Sequence, residues 1–323
     1  MGSIHFTTAA SLNYLAAAVV ALESALITHP EASASIYLYS QTEIEIADLQ
    51  RRIPHIRVDS NEAIIDYQLV RSMRNYYSDI EFFSALKIFN LKHNRLSAAQ
   101  VVHIDTDTLF LERLFDNFGD FTEVCIQLVP HCQSPYPRSQ IYMRDLDLIR
   151  SGTINGGLIS LFTEHSVTDF ALDWLLDHAQ HHFFVSQRHG LYADQSWLSL
   201  LPTLFPDVIQ IVRDPGINMA YWNLHERTLT GPDENMRFYV NTEYVLKMFH
   251  FSGYHYPSRE LSVHVPKLWK LRYSTSLESL IDDYRTKIAE AKMRLAGLPI
   301  DSRRSLATRF GQIHQRNRRM RAL

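Results

Sequence analysis

The run Val101-Val102-His103-Ile104-Asp105-Thr106-Asp107-Thr108-Leu109-Phe110 has the composition of a buried strand, yet two aspartates with one residue between them interrupt it. A buried carboxylate is costly unless a cation, a proton or hydrogen-bond donors meet it. In an extended segment residues i and i+2 face the same side, so Asp105 and Asp107 would converge on one point. Two carboxylates there make a seat for a hard divalent cation, Mn²⁺ or Mg²⁺, and leave coordination positions for substrate oxygens such as those of a diphosphate. The structural alternative is a strand-to-turn junction whose aspartates accept backbone N–H groups.

Four other stretches carry chemistry-bearing residues. Phe249-His250-Phe251-Ser252-Gly253-Tyr254 sets an imidazole between aromatics just before a turn signal. Neutral imidazole suits Mn²⁺ better than Mg²⁺, so His250 is a candidate third ligand; a satisfied core histidine is the alternative. In Ser151-Gly152-Thr153-Ile154-Asn155-Gly156-Gly157, Asn-Gly is a hairpin signal. The same glycines would let backbone approach a ligand, with Asn155 offering donor and acceptor to a hydroxyl. In Tyr192-Ala193-Asp194-Gln195-Ser196-Trp197, Asp194 is a plausible helix cap and Trp197 a core anchor, and a loop-to-helix junction also presents catalytic polar groups. Asp214 to Arg227 packs Tyr221 and Trp222 among Asn218, Asn223, His225 and Glu226, which suits sugar-ring stacking with hydroxyl binding or an aromatic core patch with a charged rim.

These residues need a scaffold. The chain has 323 residues, is 46% hydrophobic and carries a net charge of −3, enough for a large core and without a global basic field for nucleic acid. Its two cysteines, Cys125 and Cys132, exclude a disulfide framework or zinc ribbon. No Lys or Arg precedes Arg51, so export through a secretory leader is not expected, and the apolar run from Tyr14 to Leu22 is too short to span a bilayer. A cytoplasmic protein is expected. Patterning predicts strands at Ile4 to Thr7, Ile36 to Tyr39, Ile56 to Val58 and Gln100 to Ile104, with a helix from about Ser11, its cap, to Thr28. Helices near Asn61 to Ser72 and Asp79 to Lys92 follow. Strand-helix-strand order implies βαβ units and a parallel sheet, and ligands of such sheets bind beyond the carboxyl ends of the strands, where the two aspartates fall. Neither GxGxxG after the first strand nor a P-loop occurs. Further strands are predicted at Val124 to Leu128, Gly157 to Leu161, Val208 to Ile211, Phe238 to Val240 and Val245 to Phe251. Helices are predicted at Val167 to His181, from Asp194, and at Ser276 to Leu295. The stretch from Asp301 to Leu323 holds seven arginines against one aspartate, +6 against −9 for the remainder. It could draw the chain peripherally to anionic lipid at the inner face of a membrane, or be a solvated end.

Taken in order, Phe82 to Leu91 around Lys87, HIDTDTLF, RSGTINGGLISL, LYADQSWLSLLPTLF, DPGINMAYWNLHER and FHFSGY resemble the bacterial GT-A-fold glycosyltransferases, near the retaining family 8 type. The resemblance runs from Ile4 to His264, about four-fifths of the chain. The DxD alone is unspecific, whereas AYWNLHER and ADQSW with FHFSGY are much more specific. The resemblance implies an α/β Rossmann-like nucleotide-sugar fold with a mixed, mostly parallel sheet over 1–265 and a C-terminal helical extension, 266–323, ending in the basic tail.

It further implies that Asp105, Asp107 and His250 bind Mn²⁺ and that Lys87 lies near the nucleotide phosphates. Asn155 and Gly156 would line the donor-sugar pocket, Asp194 would hold a sugar hydroxyl, and Gln195 would sit on the reacting face of the anomeric carbon. Asn218, Trp222, Asn223 and His225 would surround donor or acceptor. The implied reaction moves a hexose from a nucleotide sugar, a UDP-sugar in similar enzymes, to a saccharide, lipid-linked or protein acceptor with retention. Thr106 stands where proline is common in the group, and Gly156-Gly157 follows Asn155, departures that leave the donor sugar open. A nucleotidyltransferase that makes nucleotide sugars shares such a sheet and metal carboxylates, but it carries an early glycine-rich basic loop that is missing here. A non-catalytic sugar-binding module would have no need of Asp105, Asp107, His250 and Gln195 together.

Overall fold

The computed structural model describes residues 3–39, 46–59, 64–114, 123–138, 141–254, 256, 260–264 and 274–298. The basic tail, the boundary at 265/266 and the start of the helix expected from Asn61 lie outside them. In chain order the elements are β1 (Ile4–Ser11), α1 (Leu15–Thr28), β2 (Ser33–Tyr39), α2 (Ile46–Arg52), β3 (Arg57–Asp59), α3 (Tyr67–Arg74), α4 (Asp79–Asn94), β4 (Gln100–Ile104), β5 (Thr108–Phe110) and β6 (Ile126–Pro130). Then come α5 (Ile141–Ser151), β7 (Ile154–Phe162), α6 (Ser166–His181), β8 (Val185–Ser186), β9 (Leu191–Tyr192), α7 (Ala193–Leu198), α8 (Leu201–Leu204) and β10 (Ile209–Ile211). The last are β11 (Leu229–Thr230), β12 (Tyr239–Val240), β13 (Tyr244–Val245), β14 (Met248–His250) and α9 (Thr275–Arg294).

Seven strands form the central sheet in the order β10-β6-β7-β4-β1-β2-β3. All pairs are parallel except those of β7, which runs antiparallel to both β4 and β6. The sheet is therefore mixed and mostly parallel. Burial on both faces explains the near-continuous apolar strands. Ile4, Phe6 and Ala10 of β1 pack on the side of α1 and α9, while Thr7 faces α4 and accepts from Asn90 Nδ2 at 2.8 Å. The α4 helix starts from a full capping box, Ser78 with Glu81.

Two local expectations fail. Ser11 does not cap α1: β1 continues through it, its side chain makes no cap bond, and a 3-10 turn, Leu12–Tyr14, precedes the helix. Asn155-Gly156 is not a hairpin turn, because β7 begins at Ile154 and runs through both residues.

Candidate active site

The two aspartates lie in a tight turn between β4 and β5, not in an extended segment. Thr108 Oγ1 donates to the Asp105 carbonyl at 2.9 Å, and the Asp105 N–H donates to the Gly157 carbonyl at 2.9 Å. Strand pairing brings the imidazole to them. β14 runs antiparallel to β5 with His250 opposite Thr108, so His250 stands beside the residue preceding β5. The Phe251 N–H then donates to the Asp107 carbonyl at 2.7 Å.

His250 Nε2 is 3.1 Å from Asp107 Oδ1 and 3.9 Å from Asp105 Oδ2. The ligand atoms of Asp105, Asp107 and His250 all lie within 4.8 Å of one another. On its other edge, His250 Nδ1–H donates to Asn218 Oδ1 at 3.1 Å, which fixes the tautomer and turns Nε2 toward the carboxylates. Asn218 holds a left-handed backbone, φ 59°, and is fully buried. One imidazole and two carboxylates form a donor set that fits Mn²⁺.

A second cluster adjoins the first. Lys87 Nζ reaches Asp194 Oδ2 at 2.8 Å, Asp105 Oδ1 at 3.1 Å and the Gly156 carbonyl at 2.7 Å. Three acceptors thus surround the ammonium, which ties Asp105 to Asp194. His103 Nε2–H, 3.3 Å away, also donates to Asp105 Oδ1. Burial would raise the Asp105 carboxyl, but Lys87 and His103 hold it well below the usual carboxylate range. Burial would equally lower Lys87, and Asp105 with Asp194 hold it well above the ordinary lysine value. For His250 burial acts downward, while the Asp107 charge and hydrogen bond carry the net shift upward.

The β7 glycines make room for these side chains. A Cβ on Gly156 would stand 2.2 Å from Asp194 Oδ2, and one on Gly157 would stand 2.3 Å from His250 Cε1. The β6–β7 register jumps between Leu128, opposite Ile159, and Val129, opposite Asn155. That irregularity frees Gly156 and Gly157 from β6 at the level of the aspartates. Asn155 Oδ1 accepts from the Gly157 N–H at 3.0 Å, and Asn155 Nδ2 donates to Gln195 Oε1 at 3.2 Å. Gln195 Nε2 in turn donates to the Ser151 carbonyl at 3.0 Å. Asp194 is not the cap of α7: Tyr192 precedes the helix, and Asp194 sits in its first turn with its side chain turned inward to Lys87.

Trp222 stands perpendicular to His250, ring centroids 5.1 Å apart. Asn223 is buried, with its amide on the carbonyls of Asn218 and His131, so it holds the loop behind Asp105, Asp107 and His250. His225 stacks on Tyr136 at 3.9 Å, and its Nε2 lies 3.3 Å from the Ser134 carbonyl. Glu226 accepts the N–H groups of Gln133 and Ser134, fastening the 131–136 segment against this loop. Sequence reasoning missed His131, which packs edge-on to Trp222 and accepts from Asn155 Nδ2 at 3.3 Å. Burial, with the His250 charge, pushes His131 down to about 4. It also missed His103, although that residue lies two positions before Asp105 on the same strand edge.

No protein-family model matches the chain. It is 28% identical over 158 residues to the uncharacterized protein YfnF of Bacillus subtilis (strain 168); the match spans 48% of this chain and only half, 50%, of that relative. A crystal structure of an active-site mutant of LgtC aligns over 96% of this chain and 99% of that one, with a TM-score of 0.50 at 14% identity. The chain has the GT-A fold. A structure of the galactosyltransferase LgtC with donor and acceptor sugar analogs aligns over 96% of this GT-A chain and 99% of its own, at 15% identity and a TM-score of 0.48. Among the described residues, Asp105, Asp107 and His250 are the one group of three or more His, Cys, Asp or Glu side chains close enough to share a metal ion. Among the same residues, no helix is long and apolar enough to cross a membrane.

Proposed function

We propose that this chain is a metal-dependent glycosyltransferase that moves a hexose from a UDP-sugar to a saccharide, lipid-linked or protein acceptor with retention at the anomeric carbon. The observation that carries the reading is the convergence of Asp105, Asp107 and His250 at the carboxyl end of β4, with the Lys87–Asp194 pair alongside. The triad would hold Mn²⁺, which when bound supplies a Lewis acid to the leaving diphosphate. Lys87 acts by orienting Asp105 and Asp194 and balancing their charge. Asp194 accepts a hydroxyl of the donor sugar, and Asn155 with the Gly156 backbone lines the same pocket. Asn218 fixes His250, while Trp222, Asn223 and His225 belong to the wall over donor and acceptor.

Gln195 is an amide whose oxygen already accepts from Asn155 Nδ2 and, at 3.4 Å, from the Gly156 N–H. It serves as a fixed dipole facing the anomeric carbon rather than as a nucleophile. That supports front-face attack, in which the acceptor oxygen bonds to the anomeric carbon as the bond to phosphate breaks and a phosphate oxygen takes the acceptor proton.

The test is a donor screen. Purified protein with Mn²⁺ is offered UDP-, GDP- and TDP-sugars and nucleotide release is recorded, with Asp107→Ala in parallel. Release from a UDP-sugar, reduced at least about a hundredfold in the variant, is expected, and NMR of the product should show the donor's anomeric configuration. No release and no Mn²⁺-dependent UDP binding would make the aspartates structural; an inverted linkage would refute retention alone.

A further inference from the structure

The metal cluster rests on a small support. Asp107 immediately precedes β5 and His250 ends β14, strands of three residues each, paired with one another outside the central sheet. A two-stranded pair of that length has little stability of its own. Its geometry has to come from what packs against it.

Phe251 follows His250 directly, and its N–H bonds the Asp107 carbonyl, so it ties the two ligands together. Its ring lies flat against Tyr284 of α9, centroids 3.9 Å apart and planes 3° from parallel. Phe249 meets the Phe251 ring at 4.6 Å. Both Phe251 and Tyr284 are buried. The helix that bears Tyr284 is fastened at its middle and at its C-terminal end. Arg285 donates to the Tyr256 carbonyl at 2.8 Å on the site side. At the far end Arg52 donates to the Ala296 carbonyl at 2.6 Å, and Arg294 pairs with Glu23 of α1 at 2.6 Å. Leu277, Leu280, Ile281, Ile288 and Ala291 set the rest of α9 into the core shared with β1 and β4.

We infer that Tyr284 is a positioning residue of the metal site: its ring fixes Phe251 and, through Phe251, the spacing of Asp107 and His250. The inference rests on the reading that this triad binds a divalent cation. Burial pushes the Tyr284 hydroxyl up, and the charge of Asp107 acts in the same direction. A segment that the sequence presents as an extension beyond the catalytic domain is in this way built into the site.

The experiment titrates the full chain with Mn²⁺ alone, following free Mn²⁺ by EPR, for the wild type, Tyr284→Ala, Tyr284→Phe and Leu280→Ala. Thermal melts run alongside. Outer-shell groups typically change metal affinity about 10- to 100-fold, so Tyr284→Ala is expected to raise Kd at least about tenfold. Tyr284→Phe, which keeps the stacked ring, should bind as the wild type does. Leu280 is fully buried on the same helix, so Leu280→Ala should lower the Tm comparably while leaving Mn²⁺ affinity intact. An unchanged Kd in Tyr284→Ala, or an equal loss in Leu280→Ala, would overturn the inference. Should Tyr284→Ala not fold, Tyr284→Leu, which fills the space without a flat ring, is judged by the same criteria. A wild type that binds no Mn²⁺ overturns the functional reading itself, an outcome visible before any α9 variant is compared.

Discussion

Lys87 is buried, yet it is the group on which two carboxylates depend. Its ammonium neutralises Asp105 and Asp194 at 3.1 and 2.8 Å, and Asp194 is at least as buried as the lysine. Removing one partner from such a cluster costs more than the cluster contributes, because the remaining charges stay desolvated. Lys87→Met is expected to lower unfolding free energy by about 3–5 kcal/mol, measured by urea denaturation of the metal-free protein. Lys87→Met with Asp194→Asn should recover a large part of that loss, since only Asp105 then lacks its counter-charge; no recovery would show that the lysine acts by packing alone. At this scale the sequence was informative where the clustered residues are neighbours in the chain. Asp105 and Asp107 are two positions apart, and His250 stood out by its aromatic flanks and the turn after it. Lys87 was legible as a residue but not as a bridge, because its partners Asp105 and Asp194 are distant in the chain. The bond from His250 to Asn218 and the place of His131 were illegible for the same reason: both depend on which backbone segments pair.

The elements show which features of patterning survive folding. Strand positions were largely legible because burial on both faces leaves unbroken apolar runs. Strand direction was not, since a strand buried on both faces reads the same in either direction, and β7 proved antiparallel. The glycines of β7 were noticed as an approach for ligand, whereas the space beside them is filled by Asp194 and His250. That difference yields a prediction. In Gly157→Ala the new Cβ would stand 2.3 Å from His250 Cε1 and 2.6 Å from His250 Nδ1, the atom that bonds Asn218. The ring must turn and that bond must break. Overpacking of this kind costs about 1–3 kcal/mol, and Mn²⁺ affinity should fall at least about tenfold, followed by EPR titration with circular dichroism as the check on folding. Wild-type affinity in this variant would mean that the His250 ring has room the structure does not show.

For the molecule as a whole, acid is the informative stress. His5 lies at the amino end of the sheet, its ring nitrogens each 2.8 Å from a serine hydroxyl, Ser33 and Ser35. Burial, helped by the charge of Arg57, pushes His5 down to about 4. The unfolded chain takes up this proton near 6.5 and the folded one only near 4, so the stability is fully present above 6.5 and drains away as pH falls through that window. At full effect the gap from 6.5 to about 4 is worth about 3 kcal/mol. His29, lowered mainly by burial, adds in the same direction. Urea midpoints measured from pH 7 to 4.5 should decline, with a visibly flatter slope in His5→Gln; parallel slopes would remove His5 from the account. The amphipathic pattern of α9 was plain in the sequence, but nothing in that pattern says which apolar surface the helix will cover. That it covers α1 and Phe251 bears on how the protein is made. Ribosomes release the chain from its amino end, so the aspartates and His250 leave the exit tunnel before Tyr284 does. A nascent chain therefore displays Asp105, Asp107 and His250 before the ring that stacks behind them, and their packing against α9 is completed only after that helix has followed.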